Sequence, residues 1–139
     1  MQSTNAPNLL VGAWKLVSFQ FESEGNDERR DVYDEHLQGF AILTETRVSF
    51  LLTAGNRLAT APTTELFDHM MAYSGRYRME GDRIITTVDS AWHPSWLGTE
   101  QVRYFKLDGD ALSLMSDYFE LPKFPGPHLR GTAIWRREV

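Results

Sequence analysis

The side chains best suited to move a proton or hold a negative charge are His93, Asp89, Arg103 and Tyr77. His93 lies in Trp92-His93-Pro94-Ser95-Trp96, where Pro94 stiffens a loop that sets an imidazole between two indoles. It reads either as a general acid or base or as an idle surface histidine, and His69 invites the same pair of readings. Asp89 shares a strand face with Ile85 and Thr87. Apolar walls around it would favour its neutral form and suit it to acid–base work, whereas a nearby Arg103 would hold it ionised as a plain ion-pair partner. Arg103 and Gln101 alternate with Phe105 and Leu107, so an inward Phe105 brings both of them inward. A guanidinium inside a fold must pair with a carboxylate, here Glu100, Asp89 or Asp117, or face an oxygen of a ligand. In a proton-transfer site Tyr77 or Arg103 would stabilise the oxygen charge that develops.

Other chemistries lack their residues. The histidines at 36, 69, 93 and 128 have no close pair spacing and there is no cysteine, so no metal site is expected. No Gly-x-Ser-x-Gly elbow and no glycine-rich phosphate loop precede a helix, and no cofactor is expected. A net charge of -5 with scattered Lys and Arg excludes nucleic acid as the natural partner. No apolar run approaches the ~20 residues of a membrane span, so membrane insertion is not expected. The polar opening segment 1–8, expected to be loosely ordered, lacks the basic and apolar regions of a secretory signal, and a cysteine-free chain suits the cytoplasm. Oligomeric state leaves no trace in the sequence.

The elements that must position these residues are mostly strands. At 139 residues the chain is expected to form one domain around one core, and 12% aromatic content suits a barrel or a ligand cavity. Short runs of β-branched, aromatic and aliphatic residues alternate with polar ones between Gly, Asn, Asp and Pro. The run 10–21 carries Val11, Val17, Phe19 and Phe21 on one face and Leu10, Trp14 and Leu16 on the other, which predicts packing on both sides. Runs 39–44 and 47–53 form a hairpin through Thr44-Glu45-Thr46. The segment 64–73 repeats Leu66, Phe67, Met70 and Met71 at helical spacing behind Thr63 or Thr64 as cap, predicting one short helix that seals an end. Runs 76–79, 83–90, 101–107, 111–118 and 130–137 complete about eight strands in meander order, joined by turns at Gly81-Asp82 and Asp108-Gly109-Asp110. Segments 22–35, 91–99 and 122–127 read as loops. Antiparallel strands in this number close into a barrel or stack as a sandwich.

Gly12-Ala13-Trp14 on the first strand and Trp135-Arg136-Arg137 on the last decide between these, because lipocalins carry Gly-x-Trp on strand one and a late arginine that stacks over the tryptophan. More closely, the chain resembles the small bacterial and fungal lipocalin-like domain family. The likeness is carried by Tyr73-Ser74-Gly75-Arg76-Tyr77, by the run from Pro94-Ser95-Trp96 to Gln101-Val102-Arg103, and by the closing Trp135-Arg136-Arg137, across residues 10–137. It departs at Thr86 and Thr87, where relatives often place a histidine. The resemblance implies a cup-shaped, mainly β, antiparallel barrel with a ligand cavity, closed by Gly12, Trp14, Trp135 and Arg137.

The function expected is binding of a small apolar or amphipathic molecule, as carrier or sensor. The lining expected is Phe40, Phe50, Leu52, Met70, Tyr73, Tyr77, Trp92, Trp96 and Phe105, with Gln101 or Arg103 orienting one polar group. The alternative is a cofactor-free isomerase, cyclase or lyase in the same cavity, with His93 or Asp89 moving the proton and Tyr77 or Arg103 steadying oxygen charge.

Overall fold

A computed structural model describes residues 8–25, 28–32, 36–55, 57–121 and 124–138. The segment expected to be loosely ordered lies outside these residues except for Asn8, as do parts of the loops expected at 22–35 and 122–127.

The strands are β1 (Gly12–Ser23), β2 (Arg29–Asp31), β3 (Gln38–Leu43), β4 (Arg47–Thr53), β5 (Met70–Glu80), β6 (Arg83–Ala91), β7 (Glu100–Asp108), β8 (Ala111–Met115), β9 (Phe119–Leu121) and β10 (Phe124–Arg137). A helix, α1 (Thr63–Asp68), precedes β5, and a single 3₁₀ turn (Pro94–Trp96) separates β6 from β7. The order β1-β3-β4-β5-β6-β7-β8-β10, with β10 pairing back onto β1, closes an eight-stranded antiparallel barrel. β2 and β9 flank the long strands β1 and β10 as short extensions. Closure removes the free sheet edges, and eight strands leave an interior that side chains fill or that holds one small ligand. No helix among the described residues is long and apolar enough to cross a membrane.

Tight turns set the registers. Thr44 Oγ1 accepts from the backbone N–H groups of Thr46 (3.3 Å) and Arg47 (3.0 Å), which folds the chain back between β3 and β4. Gly81 and Gly109 adopt positive φ at the β5–β6 and β7–β8 turns. Burial alternates cleanly along β3 and β4: Ala41, Leu43, Val48, Phe50 and Leu52 face the core, while Phe40, Ile42 and Leu51 face out.

Several local expectations are corrected. The helix ends at Asp68, with Pro62 at its N-cap and no capping side chain, and it buries no residue. The segment from Met70 onward is strand because seven consecutive register pairs with β4, from Thr53↔Met70 to Arg47↔Arg76, outweigh one more helical turn. Met71 and Tyr73 satisfy a period of two as well as a helical one, which is why the pattern misled. Part of the 22–35 loop is β2, and residues 124–130, expected as loop and strand start, all belong to β10.

The first strand is corrected most. Leu16 pairs with Trp135 and Ser18 with Ile134, so Val17 is an extra residue, a β-bulge. The bulge reverses the alternation. Trp14 and Leu16 before it, and Phe19 and Phe21 after it, all face the same interior, and Val17 is 56% exposed. One buried face thus replaces the two expected.

One end of the barrel is packed shut. Trp14 is fully buried and its indole N–H donates to the Leu10 carbonyl (3.0 Å). The Arg137 guanidinium lies 4.2 Å from the Trp14 ring centre and donates to the carbonyls of Leu9 (2.6 Å) and Val11 (3.1 Å). Gly12 has φ +138, a conformation that favours glycine, and a Cβ there would stand 3.1 Å from Arg137 Nη1 and press on the guanidinium. Beside them the Tyr77 hydroxyl donates to the Thr44 carbonyl (2.6 Å) and accepts from Asn8 Nδ2 (2.6 Å).

Candidate functional site

Above this floor the barrel opens into a cavity of about 360 Å³. β1 supplies Phe19 and Phe21 through the bulge, β4 supplies Phe50 and Leu52, and β5 supplies Met71 and Tyr73. Gln101 and Arg103 come from β7, Leu114 from β8, and Gly131, Ala133 and Trp135 from β10. Trp96, Val32, Ser116 and Phe119 complete the wall at the mouth. The small residues of β10 make the room: a Cβ on Gly131 would come within 3.1 Å of the Phe19 ring. Aromatic contacts hold the wall, with ring centres 5.0 Å apart for Phe50 and Tyr73, 5.9 Å for Phe50 and Trp135, and 5.2 Å for Tyr73 and Trp96. Phe21 meets Phe119 edge-on at 5.9 Å across the mouth.

The polar groups at this wall are few. Ser116 Oγ donates to the Asp117 carbonyl (2.9 Å) and accepts the Gly131 N–H (2.9 Å), so its capacity is used within the protein. Gln101 Nε2 donates to Thr99 Oγ1 (2.9 Å), which turns Oε1 towards Arg103 Nη2 at 3.3 Å. Arg103 Nη1 donates to the Val102 carbonyl (2.8 Å). No carboxylate of the described residues lies within ion-pair distance of Arg103, so the expected pairing with Glu100, Asp89 or Asp117 is absent there. Glu100 instead pairs with Arg78 at 2.9 Å. Burial pushes the Tyr73 phenol above the ordinary tyrosine range, and the nearby positive charge of Arg103 partly opposes this. The Tyr73 hydroxyl has no hydrogen bond among the described residues, and neither has the buried indole N–H of Trp135.

The residues expected from sequence divide between the cavity and its surroundings. Phe50, Leu52, Tyr73, Trp96, Gln101 and Arg103 are in the wall. Phe105 faces inward but packs on the core below it. Phe40 is turned outward, 40% exposed, because Gly39 and Ala41 take the inner positions of β3. Met70 yields its place to Met71, one residue on and therefore on the opposite face. Trp92 lies behind the wall, 5.0 Å from Trp96 and 6.3 Å from Phe67, against an outer groove formed with Leu51 and Ala72.

His93 is exposed outside the cavity, and its Nδ1 accepts the Ser95 N–H (3.1 Å) and lies 2.8 Å from Ser95 Oγ. Asp89 stands on the outer face at a second bulge, where Ser74 pairs with Ser90 and Gly75 with Val88. Arg47 grips both its oxygens (3.0 and 2.6 Å) and holds its carboxyl below the ordinary aspartate range. Tyr77 belongs to the closed end, not to the cavity wall. Among the described residues no group of three His, Cys, Asp or Glu side chains converges as a metal site would require.

Alternation along β8 and β10, with Leu112 and Leu114 on one strand and Ala133 and Trp135 on the other, was available to mark those wall residues. Nothing local marked Phe19 and Phe21.

No curated protein matches the chain. A solved structure of an uncharacterized protein from Bacteroides eggerthii is similar at 16% identity, covering 92% of this chain and 98% of the other, with a TM-score of 0.44. The model of the lipocalin-like domain matches residues 11–138. With Gly12-x-Trp14 capped by Arg137 beneath a closed eight-stranded barrel, the chain belongs to the lipocalin-like domain family.

Proposed function

We propose that the protein binds one small, largely apolar molecule inside the barrel and performs no chemistry on it. The observation that carries this reading is the open, aromatic-lined cavity of about 360 Å³ above a fully packed floor. Its size is at the small end of the ~300–1,000 Å³ typical of ligand cavities, and its composition, apolar with a few convergent polar groups, is typical of them. A lipocalin-like barrel is an architecture suited to this role. At ~30 Å³ for each water-sized group, the space holds on the order of a dozen non-hydrogen atoms.

The catalytic alternative draws less support. Of the four side chains expected to carry it, only Arg103 reaches the cavity, while His93 and Asp89 are outside and Tyr77 spends its hydroxyl on Asn8 and Thr44. A proton donor or acceptor must reach the reacting atom directly or through one water.

Titration with biphenyl, followed by quenching of tryptophan fluorescence from Trp96 and Trp135, tests the binding reading. Saturable 1:1 quenching is expected, weakened at least ~10-fold by Ala133→Leu, which puts a larger side chain into the cavity at a cost to stability of about 1–3 kcal/mol. Absence of saturable binding, or equal binding to Ala133→Leu, would overturn it.

A further inference from the structure

At the cavity wall Arg103 and Tyr73 keep donors that the described residues do not use. Arg103 is half-buried there with its Nε unused and no acid opposite it among the described residues. Arg47, Arg78, Arg83 and Arg130, all on the outer surface, each have a carboxylate within 4.0 Å. These four are neutralised by the protein, whereas Arg103, at the wall of an apolar cavity, is not. Tyr73, on β5 and two strands from Arg103, lines the same cavity and keeps a hydroxyl without a partner among the described residues. Gln101, a further polar group there, is tied to Thr99 on one side and Arg103 on the other, so it orients the guanidinium while the Arg103 Nε stays unused.

The guanidinium can only donate and the Tyr73 hydroxyl can donate beside it, so the complementary group must accept, and an ionised carboxylate does so with two oxygens. It also matches the planar guanidinium in shape and gains charge-assisted hydrogen bonds. One guanidinium supplies one positive charge, which balances a monocarboxylate; a phosphate dianion would be left with an uncompensated charge beside apolar walls.

We propose that the ligand is a monocarboxylic acid of on the order of a dozen non-hydrogen atoms, its carboxylate held by Arg103 and Tyr73 and its apolar body lying against Phe19, Phe50, Leu114 and Trp135. This rests on the cavity-binding reading above. Gln101 is a positioning residue that aims the guanidinium.

Decanoate and its uncharged isostere decanamide distinguish the two levels of the argument. Calorimetric titration at pH 7 is expected to show decanoate binding at least ~10-fold tighter than decanamide, the ratio of a charge-assisted pair. Arg103→Gln is expected to abolish that preference while leaving decanamide affinity in place, and Tyr73→Phe to weaken decanoate several-fold. Equal affinity of the two compounds for the wild-type protein overturns the carboxylate assignment and leaves the cavity reading standing. A preference that survives Arg103→Gln also overturns it. Failure of both compounds to bind overturns both readings. The wild-type comparison needs no variant to fold.

Discussion

The two ends of the barrel use the same kinds of residue to opposite effect. At the closed end Trp14, Tyr77 and Arg137 find partners for their polar groups within the protein: Leu10, Thr44, Asn8, Leu9 and Val11. At the open end a tryptophan, a tyrosine and an arginine, Trp135, Tyr73 and Arg103, keep donors that the described residues do not meet. A buried donor without an acceptor costs stability. The closed end is therefore built to hold the fold, and at the open end the buried indole N–H of Trp135 carries such a cost at the place where a ligand is proposed to sit.

Truncation breaks the comparison most directly. Trp14→Ala is expected to lower the unfolding free energy by about 3–5 kcal/mol, read from denaturant midpoints, since a fully buried indole and its cation contact are lost together. Phe21→Ala, at the half-exposed mouth, should cost less than half as much. Equal losses would show that the two ends bear the same load.

Removing one oxygen sharpens it. Tyr77→Phe is expected to cost about 1–2 kcal/mol, because it leaves Asn8 and the Thr44 carbonyl without their partner. Tyr73→Phe in the ligand-free protein should be neutral or slightly stabilising, since that hydroxyl satisfies nothing in the protein. A destabilised Tyr73→Phe would reveal a protein partner for the phenol.

Alkaline pH acts on both tyrosines, whose phenols burial raises above the ordinary value. As pH rises through ~10, the unfolded tyrosines release their protons first and bind fewer than the folded ones, so stability falls with rising pH in that window. Chemical denaturation at stepped pH should show a decline that becomes shallower in Tyr73→Phe. Below that window the Tyr73 phenol stays protonated and remains a donor.

The smallest effect is expected at Asp89. NMR titration should place its midpoint below the ~3.9 of a free aspartate and move it upward in Arg47→Gln. Asp89→Asn should leave ligand binding unchanged. Any loss of binding would draw the outer face into the site.

Much of the architecture was legible because its signals are local. Tight turns at Thr44-Glu45-Thr46, Gly81-Asp82 and Asp108-Gly109-Asp110 separate alternating runs, and Gly12-x-Trp14 with the terminal arginines pointed to closure. The site was half legible. Period two brought Gln101 and Arg103 inward on one strand, but it also admitted Phe40, because choosing the inner face takes a neighbouring strand as reference, while Met70 entered with the helical reading of 64–73. The helix was overextended for a related reason: Met71 and Tyr73 suit either period over a short window, and the ladder with β4 decides.

The sequence by itself determined an alternating, turn-punctuated β-chain with a tryptophan and an arginine placed to close one end. Only the tertiary structure decided what the barrel contains. Whether Phe19 and Phe21 line the cavity depends on the bulge at Val17, which exists because β10 offers one position where β1 has two. Whether Arg103 meets an acid depends on Arg78 holding Glu100 and Arg47 holding Asp89 on the outer face. Both are pairings between segments distant in the chain, and their outcome follows from which groups the sheet register sets side by side, information that no local pattern carries.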